Sequence, residues 1–98
     1  GCATDSIVSG GCIVSGASVK RSLLFTQSRV ERGSTVSDSL LLPGARIGRD
    51  CVIQKAIIDE NCVIPDGTRI GCDIEQDRKL YHVSKGGVTL VTRAMLSA

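Results

Sequence analysis

Large rings are almost missing from this sequence: Phe25 and Tyr81 are the only aromatic residues, and there is no tryptophan. A sandwich or helical bundle normally fills its core with rings. Their scarcity predicts a narrow interior of aliphatic and small side chains. No apolar run approaches the ~18 residues of a membrane-spanning helix, and no charged segment leads into a short apolar one as in a signal peptide. Neither a membrane nor an export route is expected. His82 is the single histidine, too few for a histidine-rich catalytic zinc centre. The cysteines at 2, 12, 51, 62 and 72 are odd in number and never spaced C-x-x-C. They signal neither a disulfide framework nor a zinc site, and reduced thiols in the cytoplasm are the simpler expectation. A net charge of +2 and a pI near 8.4 are too mild for a nucleic-acid-binding domain. The chain lacks an initiating Met, so Gly1 reads as a cut point and the chain as a fragment of a longer protein.

Against these absences stands a repeat. Aliphatic residues fall at Ile7, Ile13, Val19, Leu24, Val30, Val36, Leu41, Ile47, Ile53, Ile58, Ile64 and Ile70, in steps of 6, 6 and 5, so that 17 residues complete one coil. Three columns result: Ile7, Leu24, Leu41 and Ile58; Ile13, Val30, Ile47 and Ile64; Val19, Val36, Ile53 and Ile70. Four residues after the anchors, two faces carry only small residues: Gly11, Ser28, Ala45 and Cys62 on one, Ala17, Ser34, Cys51 and Thr68 on the other. The face one residue short carries Leu23, Leu40 and Ile57 there. An amphipathic helix needs apolar residues at i, i+3, i+4 and i+7, which these steps do not sustain. Val, Ile, Ser and Thr with Gly or Pro near the corners favour strands and turns. The pattern is that of hexapeptide repeats, in which three strands close a triangular coil and successive coils pair in parallel. The expected fold is all-β, a parallel β-helix that in hexapeptide proteins is left-handed.

The repeat occupies residues 1–72, and 73–98 read as a capping tail of the same domain. Asp73 opens a short helix as N-cap, with Gln76 in the capping-box position. Residues 81–84 and 88–92 read as extended segments around a Gly86-Gly87 turn. Arg93 begins a last helical turn.

Candidate sites are few. His82 could serve as general base in a hexapeptide acyltransferase, but it lies outside the repeat with no evident partner. Cys51 and Cys62 read as core thiols, whereas Cys12 and Cys72 point outward by alternation. Arg29 lies one coil from Arg46, and Arg32 one coil from Arg49. These arginines form either a solvated face or a docking strip for an acidic or phosphorylated partner. Val8, Phe25 and Leu42 each follow an anchor and so form an outward apolar ridge, a candidate interface. No Gly-rich phosphate loop follows a strand, and no catalysis is expected of these 98 residues.

The stretches VSGGCIVSG (8–16), SLLLPGARIGRDC (39–51), CVIPDGTRIG (62–71) and GGVTLVTRAML (86–96) together resemble the C-terminal domain of bacterial ADP-glucose pyrophosphorylase, also called glucose-1-phosphate adenylyltransferase. The resemblance covers nearly the whole chain, and its most specific part is the terminal Val-Thr-Arg-x-Met-Leu. It implies a parent enzyme that joins ATP and glucose 1-phosphate, with Mg2+, to give ADP-glucose and pyrophosphate for glycogen synthesis. The chemistry belongs to a separate N-terminal catalytic domain. By the same resemblance the solenoid is expected to pack on that domain, support a homotetramer and contribute to the site of a phosphorylated effector such as fructose 1,6-bisphosphate. Arg93 matches an effector-linked arginine of the family, and a guanidinium suits bidentate phosphate binding. Glu60 and Ser97 depart from the enteric pattern, which has arginine at both places. Arg69, Arg78 and Lys79 are candidates to compensate. Two rival readings stay open: the acyltransferase using His82, and a structural solenoid, with or without a related sugar-nucleotide pyrophosphorylase attached.

Overall fold

The computed structural model describes residues 2–96, with side chains from residue 4 onward. Each coil contributes three short strands. The first holds β1 (Cys2–Thr4), β2 (Ile7–Val8) and β3 (Ile13–Val14); the second β4 (Ser18–Lys20), β5 (Leu23–Leu24) and β6 (Arg29–Val30). The third holds β7 (Thr35–Ser37), β8 (Leu40–Leu41) and β9 (Arg46–Ile47); the fourth β10 (Val52–Gln54), β11 (Ala56–Ile58) and β12 (Val63–Ile64). β13 (Arg69–Ile70) opens a fifth turn. Stacking makes three parallel sheets: A from β1, β4, β7, β10 and β13, B from β2, β5, β8 and β11, and C from β3, β6, β9 and β12. A four-turn β-solenoid of about 17 residues per turn is therefore the architecture.

The interior is aliphatic. Val19, Val36, Ile53 and Ile70 line it from sheet A, Leu24, Leu41 and Ile58 from sheet B, and Val30, Ile47 and Ile64 from sheet C, none more than 1% exposed. Small residues sit beside them where the chain turns. Ala17, Ser34 and Cys51 are buried at one corner and Ser28, Ala45 and Cys62 at another. Inward hydroxyls and thiols there donate across the stack: Ser28 to Leu42, Ser34 to Gly48, and Cys51 to Pro65.

Three expectations need correction. The first coil has 16 residues rather than 17: Val8 pairs with Leu24, Val14 with Val30, and Ala3 with Val19. The missing residue is at the corner between β3 and β4, where Ser15 to Ser18 does the work of Glu31 to Thr35. Because side chains alternate along a strand, a one-residue slip exchanges the faces. Ile7 and Ile13 thus point out, 66% and 48% exposed, rather than anchoring the core. Val8 occupies the inward register and is not part of an outward ridge. Cys12, expected outside, takes the place expected of Gly11; it is half-buried against the core, its thiol donating to the Phe25 carbonyl at 2.9 Å. The third correction concerns the short corner. Its buried small residues are Ser22, Ser39 and Ala56, three after the anchor, so Leu23, Leu40 and Ile57 turn outward.

The tail rejoins the solenoid. Helix α1 (Ile74–Leu80) starts at Asp73, whose carboxylate accepts from the amides of Glu75 and Gln76. β14 (His82–Val83) and β15 (Thr89–Val91) form an antiparallel pair, and β15 adds in parallel to β11, placing Val91 in the core. Helix α2 (Arg93–Leu96) follows. Buried Asp77 binds the parts together, accepting from the Gly71 amide at 2.8 Å and the Thr89 hydroxyl at 3.3 Å. Gly71 itself has φ +86, and a Cβ there would run into the Gln54 carbonyl, so the last coil can leave the stack only through glycine.

Candidate functional site

The three outer faces differ in chemistry. Strand registry on sheet A presents Ser18, Thr35, Val52 and Arg69 in one row and Lys20, Ser37 and Gln54 in the next, a mostly polar surface. Sheet C presents Ile13, Arg29, Arg46 and Val63. Arg29 and Arg46 do lie in register as expected, and Arg29 is ion-paired with Glu31, just beyond the end of its strand. Arg32 and Arg49 occupy the same place in successive corners, where their carbonyls accept from Asp50 and Gly67. The Arg49 amide also donates to the Asp66 carboxylate.

Sheet B is apolar on its outside. Ile7, Leu23, Leu40, Ile57 and Leu90 stack in one continuous row across β2, β5, β8, β11 and β15. Beside it run Phe25 and Leu42, the two members of the expected ridge that stay outward, both half-buried. The expected ridge was therefore part of a wider face with a different leading row. Alternation from the short corner was the signal that could have revealed it.

Arg93 begins α2 and lines an open depression of about 460 Å3 with Asp59, Glu60, Thr92 and Ala94. The structure thus gathers Arg93 and Glu60, both singled out in the sequence, into one place. Two carboxylates there oppose one guanidinium. Cys62 lies beneath; burial pushes its thiol up, and Asp59 adds to the rise. The other basic candidates lie elsewhere. Arg69 shares a depression with Gln76, Leu80 and Tyr81, and Lys79 shares one with Asp73, Glu75 and Gln76. Arg78 is exposed on α1. Ser97 lies outside the described residues. His82 is exposed on β14, paired with Leu90 across the strands. Among the described residues, no three His, Cys, Asp or Glu side chains converge as metal ligands do, and no helix is long and apolar enough to cross a membrane.

Residues 1–91 match the model of a family described as GlmU-like, C-terminal hexapeptide. The chain belongs to that family. Individual relatives narrow the comparison. The chain is 54% identical over 96 residues to the glucose-1-phosphate adenylyltransferase of Dechloromonas aromatica, covering 98% of this chain and 22% of the relative. It is 55% identical over 98 residues to that of Albidiferax ferrireducens, covering all of this chain and 23% of the relative. A protein of the same name from Shewanella oneidensis is 55% identical over 97 residues, again 23% of its length. The chain spans under a quarter of the curated relatives it matches.

Proposed function

We propose that this chain is the regulatory and oligomerisation domain of an ADP-glucose pyrophosphorylase, the enzyme that converts ATP and glucose 1-phosphate to ADP-glucose and pyrophosphate. The reading is carried by identities of 54–55% to proteins named glucose-1-phosphate adenylyltransferase along essentially the whole chain. Two structural observations support it. The outer face of sheet B, with Leu23, Phe25, Leu40, Leu42, Ile57 and Leu90, is the kind of contiguous apolar surface that marks an interface, and it suits packing against the catalytic domain or another subunit. The depression at Arg93 offers a guanidinium, a bidentate phosphate ligand, at the edge of that same face where β11 and β15 end. An effector bridging this edge and the docked domain would favour one arrangement by binding it more tightly than the other, which is what allosteric activation requires. Mg2+ and the reacting groups belong to the part of the protein outside this chain.

The test is ADP-glucose formation by the full-length protein, titrated with fructose 1,6-bisphosphate. Turnover that rises with effector, and an Arg93→Ala variant that loses activation while keeping unactivated turnover, are the expected results. An unchanged activation curve in that variant removes Arg93 from the site. Absence of turnover when both substrates are supplied removes the enzyme assignment and leaves the solenoid alone.

A further inference from the structure

Each coil passes from sheet A to sheet B through one residue in the left-handed backbone region: Asp5 (φ 49), Arg21 (φ 47), Asp38 (φ 49) and Lys55 (φ 46). The other two corners place glycines at half or more of the equivalent positions, among them Gly11, Gly44, Gly16, Gly33 and Gly67. At this corner there are none. Left-handed geometry strains a residue that carries a Cβ, and such strain clusters at functional places. The four residues also alternate in charge, one coil apart: acid, base, acid, base.

The two middle rungs satisfy each other. The Arg21 guanidinium clamps Asp38 through two bonds, Nε to Oδ1 at 2.7 Å and Nη2 to Oδ2 at 3.1 Å. That clamp engages both oxygens of Asp38 but only two of the five donors of Arg21. Among the described residues, Lys55 makes no ion pair of its own. The next rung should be an anion, and none of the described residues forms an ion pair with Lys55 to supply it. Above Lys55 the backbone returns as the Gly86–Gly87 turn into Val88 and β15, the Thr89 amide donating to the Lys55 carbonyl. Apart from Gly87 and its two chain neighbours, no heavy atom lies within 4 Å of where a Gly87 Cβ would stand. The space left is a depression of about 520 Å3 lined by Arg21, Asp38, Gln54, Lys55, Gly86 and Gly87 among others, within the size range of small-ligand sites.

We infer that this corner is an anion-binding site in which a phosphate group, free or on a small organic molecule, takes the missing fifth rung, held by the Lys55 ammonium and the spare donors of Arg21 with the Gln54 amide beside them. Lysine is a compact point charge suited to phosphate, and charge-assisted bonds are the strong ones. The site lies at a different corner from Arg93 and shares no residue with its depression, so it stands whether or not the effector reading does.

The experiment is a titration of the 15N-labelled chain with inorganic phosphate and, separately, with glycerol 3-phosphate, reading amide shifts of Gly86, Gly87 and Gln54. Saturable shifts there with a dissociation constant of about 1 mM are expected. Lys55→Asn and Asp38→Asn both suit a left-handed backbone, so folding is retained. The first should weaken binding about tenfold or more. The second, by freeing Arg21 and removing a competing carboxylate, should tighten it about threefold. Equal binding of the two probes identifies the phosphate group alone as ligand; tighter binding of the ester shows that the cavity also reads the organic body. Shifts spread over the basic surface, or binding unchanged in Lys55→Asn, overturn the site.

Discussion

Replacing Ser39 with alanine tests how the short corner is held together. Ser6, Ser22 and Ser39 form a ladder in which each hydroxyl accepts from the amide one coil on: Ser22 to Ser6 at 3.1 Å, Ser39 to Ser22 at 3.1 Å, and Ala56 to Ser39 at 3.2 Å. Each hydroxyl also donates to the carbonyl two residues before it, from 2.7 to 2.9 Å. The ladder ends at Ala56, which needs no hydroxyl because the Thr89 amide above it bonds to Lys55 instead. In Ser39→Ala the Ala56 amide, in a residue only 1% exposed, loses its acceptor where water cannot replace it. An orphaned buried donor costs about 1–3 kcal/mol. Ser6→Ala orphans the Ser22 amide, in a residue itself only 4% exposed, but the lost acceptor sits on half-exposed Ser6 in the terminal coil; water can take its place there, and the loss should be under about 1 kcal/mol. Urea denaturation followed by far-UV circular dichroism reads the difference. With a slope of about 1 kcal/mol per molar urea for a chain of this size, the Ser39→Ala midpoint should fall by roughly 1–3 M and the Ser6→Ala midpoint by well under that. Equal losses in the two variants would refute the idea that burial of the ladder, rather than the hydroxyl itself, sets its contribution.

Other expectations follow from the surfaces. Leu40→Lys with Ile57→Lys puts two charges in the middle of the apolar face of sheet B and should shift the isolated chain from self-associated species towards monomer; a sedimentation profile like that of the unaltered chain would show that the face is not the contact. Glu60→Arg changes the charge beside Arg93 by two units, and at about 1 kcal/mol per unit charge at 4 Å in water the roughly 2 kcal/mol gained should tighten an anionic effector about 30-fold in full-length activation assays. Thiol chemistry should follow exposure. Cys72 is exposed and Cys62 fully buried with its thiol pushed up by that burial, so at neutral pH iodoacetamide should label Cys72 first. Cys62, protonated there, should react only above its raised range or after unfolding.

The regular coils were legible in the sequence because their constraint is local and repeated: an inward aliphatic residue every coil and a small residue where the chain turns. Asp73 was legible as an N-cap for the same reason. The first coil was not. Its isoleucines, Ile7 and Ile13, continue the 17-residue columns perfectly, and only pairing with the second coil shows that Val8 and Val14 are the residues facing inward. Hydrophobicity cannot separate neighbours that are both aliphatic. The same ambiguity hid the outer face of sheet B, since Leu23-Leu24, Leu40-Leu41 and Ile57-Ile58 offer two candidates for one inward place. Arg93 and Glu60 were picked out by resemblance, and their shared depression depends on β15 returning beside β11, a contact that spans the whole tail. The alternating corner of Asp5, Arg21, Asp38 and Lys55 was visible as a 17-residue spacing in its last three members, but nothing in the sequence marked those residues as corners.

Losing one residue between β3 and β4 acts on this solenoid much as a frameshift acts on a message. Everything after the shortened corner keeps its meaning, and everything before it is read on the opposite side. The bonds of the stack survive, because backbone donors and acceptors are the same at every residue. What changes is the vocabulary of the surface: isoleucines that suit an interior are displayed to the outside, and valines are left to close the end. A single-residue change in a turn can thus alter which partners a repeat protein offers itself to, without altering its coil or a single side chain.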